Sequence, residues 1–143
     1  MNHPHEKVCQ GYLELFANLT PERIAEFSQW VSADVHFRDP FNDVRGISKM
    51  QAILEDMFER TTEPKFRVLE HRLGGDTGFI RWNFSAQLPL LGKLSVEGVS
   101  RLQFNNDGLI SEHLDYWDSA PIYLKLPVIG WLLKRLKAKM ALP

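Results

Sequence analysis

The apolar residues keep a helical spacing up to Pro64 and alternate beyond it, and this one change of period decides the class of fold. Val8, Tyr12, Leu15, Phe16 and Leu19 lie at i, i+4, i+7, i+8 and i+11, one face of a helix. Thr20-Pro21 reads as a second start, a cap hydroxyl followed by proline at the first helical position, with Ile24, Phe27 and Val31 as the stripe. Met50, Ile53, Leu54, Met57 and Phe58 repeat the pattern for a third helix that begins near Gly46 or Ser48. Past Pro64, segments 65–73, 79–88, 94–104 and 109–117 alternate as strands, separated by GGDTG, LPLLGK and NNDG turns. Helices first and strands later predict an α+β domain: three N-terminal helices on one face of a curved, mostly antiparallel sheet.

At 143 residues the chain reads as one domain, with its core over about 6–118 and an amphipathic helix over about 127–141. A net charge of −1 gives no reason to expect nucleic acid as a partner. Cys9 is the only cysteine, so no internal disulfide can form, and a reducing compartment is the simplest expectation. MNHPHEK lacks the apolar run of a signal peptide and no stretch reaches the ~20 apolar residues of a membrane span, so a cytoplasmic location is expected. His3, His5 and Cys9 could in principle meet a metal, but a frayed terminus is the expectation there, with no metal and no cofactor.

One short stretch resists a bland reading. In HFRDPFNDVRG, 36–46, Val35 and Phe37 alternate with His36 and Arg38, and the same parity carries Asp39 to the apolar side of a strand over 34–39. Pro40 then stops the ladder. Asp39 is either the anchor of an Asx-type turn or a buried base with its pKa raised by desolvation.

Taken together, helix, helix, short strand ending in Asp-Pro, helix and four long strands resemble the nuclear transport factor 2-like superfamily, the cone-shaped SnoaL-like domains. FRDPF, 37–41, looks like the strand end where ketosteroid isomerases keep their general base, and DYWD, 115–118, is similar to the last strand of SnoaL-like cyclases and limonene epoxide hydrolases. The resemblance implies an interior pocket and places Asp39 at the isomerase base, Tyr12 at the oxyanion-stabilising tyrosine and Ser100 where those enzymes keep a carboxylic acid. Against the epoxide hydrolases it aligns Asp115 and Arg81 with an Asp and the Arg, and puts Asn83 where the other Asp stands. His113 and Trp117 share a strand face with Asp115, the one a second acid or base and the other an aromatic wall, and Phe37 lines the same pocket. Asp115 could equally pair with Arg81 as a structural ion pair.

Two questions stay open at the level of sequence. The alternation of Ile80, Trp82, Phe84 and Ala86 turns the even residues of their strand to the core, whereas the family comparison turns Arg81 and Asn83 to the pocket. Both hold if the outer sheet face, bearing either Trp82 and Phe84 or Val99, is buried in a homodimer through the sheet. At the C-terminal end, Ile129, Leu132, Leu133, Leu136 and Met140 form a stripe beside Lys134, Arg135, Lys137 and Lys139. That helix is either a lid on the cone, stripe inward, or a peripheral membrane contact with Trp131 near the boundary. Two functions follow: proton-transfer chemistry on a small apolar molecule (isomerase, cyclase or hydrolase), or non-catalytic binding of a lipid or other small ligand.

Overall fold

Most of the stripes and alternating runs become the elements their periods require. The computed structural model describes residues 3–141. Helix α1, Glu6–Ala17, buries Cys9, Tyr12, Leu13 and Leu15. The second helical segment, Pro21–Gln29, is 3₁₀ rather than α and buries Ile24 and Phe27. Residues three apart stack on one another in a 3₁₀ helix, which is the spacing of that pair. Val31, expected at its end, instead opens strand β1, Val31–Arg38. Helix α2, Ile47–Arg60, buries Met50 and Leu54.

The HFRDPFNDVRG stretch is a hairpin. β1 turns back at Asp39–Asn42 into β2, Asp43–Arg45, pairing His36 with Arg45 and Arg38 with Asp43. Three residues are too few to show a period, so β2 left no signal in the sequence. β3, Thr62–Gly74, takes in Pro64, which the sequence placed outside it. The strand order β2-β1-β6-β5-β4-β3 puts β3 at the edge, where a proline without an N–H is tolerated, and the register slips between Thr62 and Lys65. β4, Thr77–Leu88, β5, Gly92–Phe104, and β6, Ile110–Trp117, complete a six-stranded curved sheet. Its one parallel pair is β1 with β6.

The core lies between this sheet and the helices, and the strands decide which side chains it takes. On β4 the even residues Ile80, Trp82 and Ala86 are buried, while Phe79 and Arg81 are exposed. Periodicity therefore governs, and the alignment that turned Arg81 and Asn83 inward is corrected. The dimer argument from Trp82 and Phe84 is corrected with it, because both join the core side. The outer face instead carries Phe79, Val99 and Tyr116 among Glu70, Arg81 and Glu97.

After β6 come a short turn of helix, α3, Ala120–Tyr123, and then α4, Pro127–Met140. Gly130 is the one buried residue of α4. Ile129, Leu132, Leu136 and Met140 are all exposed, and only Leu133 is half-buried. The lid with its stripe inward is thus overturned: α4 rests on α3 and leaves its apolar arc in solvent. No helix among the described residues is long and apolar enough to cross a membrane.

Candidate functional site

β6 brings two titratable groups to the inner face because residues two apart on a strand point the same way. They are His113 and Asp115. β5 is antiparallel to β6 and sets Ser100 directly opposite Asp115. β4 lies on the far side of β5, and Trp82, inward like its neighbour Ile80, reaches over to Ser100. From above, α1 lowers Tyr12 onto His113.

These five side chains form one hydrogen-bonded chain. Trp82 Nε1 donates to Ser100 Oγ at 2.8 Å. Ser100 Oγ donates to Asp115 Oδ1. His113 Nε2 lies 2.6 Å from the same Oδ1, and His113 Nδ1 lies 2.6 Å from the Tyr12 hydroxyl. The directions fix one another. A carboxylate oxygen can only accept, so neutral His113 carries its hydrogen on Nε2, and Nδ1 must then accept from the Tyr12 O–H. Burial, reinforced by the negative charge of Asp115 and by Cys9, holds the Tyr12 phenol well above its usual pKa, so it stays a donor. Two donors, Ser100 Oγ and His113 Nε2, converge on Asp115 Oδ1, each backed in turn by Trp82 or Tyr12. Among the described residues, Asp115 Oδ2 receives no hydrogen bond from the protein.

Tyr12, Ser100 and His113 are buried, and Asp115 is half-buried at the wall of a small cavity. Leu13, Phe16, Phe66, Val68, Ile80 and Trp82 supply its apolar surface. Its volume is about 30 Å³, room for a water but far short of the ~300 Å³ at which small-molecule pockets begin. A larger ligand has to displace side chains, and Phe16 and Phe66 are the half-buried rings that meet edge-to-face across the space, 5.3 Å apart.

The other expected site residues lie elsewhere. Asp39 is half-buried and does not line the cavity. Its Oδ1 accepts from the backbone N–H groups of Phe41 and Asn42 at 2.8 and 2.7 Å and from Asn42 Nδ2 at 3.1 Å. The turn of the β1–β2 hairpin thus uses up the carboxylate, and Asp39 as a free buried base is corrected. The strand ends one residue before it, so the parity carried through Phe37 does not extend to Asp39. Phe37 is buried with its ring 4.9 Å from that of His113, backing the histidine rather than lining the cavity. Trp117 is half-buried and meets Phe41 instead, ring centroids 5.8 Å apart. Arg81 is on the outer face, bound by Glu97 and by Glu70 at 3.1 Å, so it forms no ion pair with Asp115. Asn83, on the same face, donates to Ser95 Oγ at 3.2 Å. At the N-terminal end, His5 pairs with Asp76 and stacks on Phe104, Cys9 is buried, and no metal-ligand cluster forms among the described residues.

The sequence reading missed Trp82 as part of the site. The available signal was chemical: a tryptophan on a core face needs a partner for its indole N–H, and Ser100 was the hydroxyl within reach across one strand.

Comparison with known proteins agrees with this geometry at the level of fold. The structure superposes on a protein of ketosteroid isomerase-like fold from Catenulispora acidiphila, solved with trimethylamine, at a TM-score of 0.73, 12% identity, and coverage of 88% of this chain and 97% of that one. It matches TsrD from Streptomyces laurentii at 0.69 and 16%, covering 87% and 96%. A protein from Jannaschia sp. CCS1, proposed to be a SnoaL-like polyketide cyclase, is matched over 100% of this chain and 99% of that one at 0.70 and 16%. No curated protein matches. The SnoaL-like domain profile matches residues 10–113, which takes in Tyr12, Trp82, Ser100 and His113 and stops two residues before Asp115. With more than half its length matched, the chain belongs to the SnoaL-like domain family.

Proposed function

We propose that the protein binds a small apolar carbonyl compound in the cavity between α1 and the sheet and moves a proton on it, with Asp115 as the base. The observation that carries this reading is the convergence of Ser100 and His113 on one oxygen of Asp115, which leaves the other oxygen of this cavity-lining residue without a protein partner among the described residues. A fixed carboxylate with one free oxygen is what proton abstraction next to a carbonyl needs. The same side chain is too well held to serve as a mobile surface charge.

Tyr12 supplies the complement. With His113 neutral, the Tyr12 hydroxyl spends its hydrogen on Nδ1. A proton added to His113 makes both ring nitrogens donors, so Nδ1–H now donates to the Tyr12 oxygen and frees the Tyr12 O–H. That hydroxyl can then donate to a substrate carbonyl while Asp115 Oδ2 takes a proton from the adjacent carbon. The base returns the proton at another carbon for an isomerisation, or the enolate carbon attacks a second carbonyl and the resulting alkoxide takes the proton back from Asp115 for a cyclisation. Structural neighbours are proposed to be polyketide cyclases and, in one case, an isomerase, which supports the class of reaction but selects neither.

The test is carbon-bound proton exchange. Apolar ketones such as 2-tetralone are incubated in D₂O and followed by NMR. The wild-type protein is expected to accelerate exchange, Asp115→Asn to abolish the acceleration, and Asp39→Asn to retain it. Ketone binding that shifts the Ser100 and His113 resonances without any exchange would instead favour the second function, a non-catalytic binder whose apolar cavity only sequesters its ligand.

A further inference from the structure

We propose that α4 is a docking element for the surface of an anionic phospholipid bilayer, a role independent of the chemistry assigned to the cavity. Two features of the helix carry it. The first is an apolar arc that is left exposed among the described residues. Gly130 packs against the α3 end so closely that a Cβ there would lie 2.4 Å from the Leu124 carbonyl oxygen. This contact fixes which side of α4 faces the protein. Val128, Ile129, Leu132, Leu136 and Met140 lie on the rest of the helix at 51–77% exposure, and Trp131 at 56% flanks them.

The second feature is charge. Lys125, Lys134, Arg135, Lys137 and Lys139 are five of the chain's 17 basic residues, and none of its 18 acidic ones lies beyond Asp118. The tail is therefore +5 and the remaining chain −6, against a net charge of −1. The guanidinium of Arg135 sits 4.9 Å from the centre of the Trp131 ring. An indole beside a cation, between an apolar arc and a basic one, suits the headgroup boundary, where the ring lies flat and the cations meet phosphate.

A second copy of the chain fits the arc less well. Two α4 helices packed arc to arc would bring together two sets of four cations. The other exposed large apolar residues, Phe41, Phe79, Leu90, Tyr116 and Tyr123, are spread over the hairpin turn, the outer sheet face, the β4–β5 turn and α3, so they offer no continuous strip to receive it. An anionic bilayer satisfies both features at once. It also orients the molecule, because the −6 body is repelled while the +5 tail is drawn in.

The test is co-sedimentation of the full chain with phosphatidylcholine vesicles and with phosphatidylcholine–phosphatidylglycerol vesicles. The expected result is sedimentation with the anionic vesicles, little with the neutral ones, and loss in high salt. Lys134→Glu with Lys137→Glu, and separately Leu132→Glu with Leu136→Glu, should each lower partitioning by about tenfold or more. Neither should shift thermal unfolding, because all four residues are exposed. The proposal is overturned if anionic vesicles fail to sediment the wild type at low salt, or if neutral vesicles do so equally well. It is overturned too if the leucine variant binds undiminished, or if that variant turns a self-associated wild type into a monomer that never bound vesicles.

Discussion

Tyr12 and His113 stand 101 positions apart in the chain and 2.6 Å apart in the fold, hydroxyl to Nδ1. The bond ties α1 to β6 across the core. Both groups are buried, so the bond is sheltered from bulk solvent. Tyr12→Phe leaves His113 Nδ1 as an unpaired buried acceptor. Chemical denaturation is expected to register a loss of about 1–3 kcal/mol, and nitrogen NMR of the ring should show the Nδ1 resonance move as its donor disappears.

Alkaline stability should fall in two steps. Burial, with Glu6 close by, pushes the Cys9 thiol up from 9.0 to about 12. In the unfolded chain it ionises near its ordinary value. Above about pH 9 the unfolded state therefore holds fewer protons than the native one, and stability declines as pH rises toward 12. Tyr12, also held protonated, adds the same sign from about pH 10, where an unfolded tyrosine ionises. Urea midpoints measured between pH 8 and 11 should drop for the wild type, and in Cys9→Ala the fall should begin only near pH 10, where the Tyr12 step remains. The native thiol should also react with Ellman's reagent only as fast as the core opens.

Asp39 is expected to matter for stability and not for chemistry. Asp39→Ala removes the acceptor for two backbone N–H groups and one amide of the β1–β2 turn. A cost of about 1–3 kcal/mol is expected in denaturant melts, with ketone exchange unchanged per folded molecule. A parallel loss of exchange would return Asp39 to the site.

The fold was legible because its signals are local and long. Helix α1 spans three turns and β5 thirteen residues, ample for a period to show. β2 and α3 were not, at three and four residues. At the site, Tyr12, Ser100, His113 and Asp115 were named from the sequence, but their order was hidden. Which atom bonds which depends on the register between β5 and β6 and on where α1 crosses them, and no spacing along one strand encodes either. Asp39 misled for a related reason: parity predicts a face only while the strand continues, and β1 ends at Arg38. Arg81 stayed ambiguous because the family comparison and the alternation of its own strand pointed to opposite faces, and burial follows the alternation.

We expect a two-fold dimer through the sheet to use the outer face as it stands, with Phe79, Val99 and Tyr116 at its centre and the Glu70–Arg81–Glu97 ladder around them. Such an interface needs about 1,000 Å² or more. Sedimentation velocity at micromolar concentration should give a dimer for the wild type and a monomer for Val99→Lys. A wild-type monomer ends the idea.

Gly98 should be the most sensitive glycine near the site. β5 carries it opposite Trp82 on one side and Trp117 on the other. A Cβ at this position would lie 2.5 Å from Trp82 Cη2 and 2.9 Å from Trp117 Cβ. The second of these neighbours is held by its own backbone and cannot swing away, so the first must move. Trp82 is the residue that donates to Ser100, and Ser100 in turn donates to Asp115. Gly98→Ala therefore acts at a distance: it displaces the indole, breaks its bond to Ser100 Oγ, and frees that hydroxyl to turn away from the carboxylate. Overpacking of this kind costs about 1–3 kcal/mol. Near-UV circular dichroism should report the displaced tryptophan. If the chain of bonds holds Asp115 in place, ketone exchange should fall further in Gly98→Ala than in a surface variant of equal stability loss, and Ser100→Ala should reproduce the fall without the change in the tryptophan spectrum. Equal exchange in the two destabilised variants would mean that Trp82 and Ser100 only fill space.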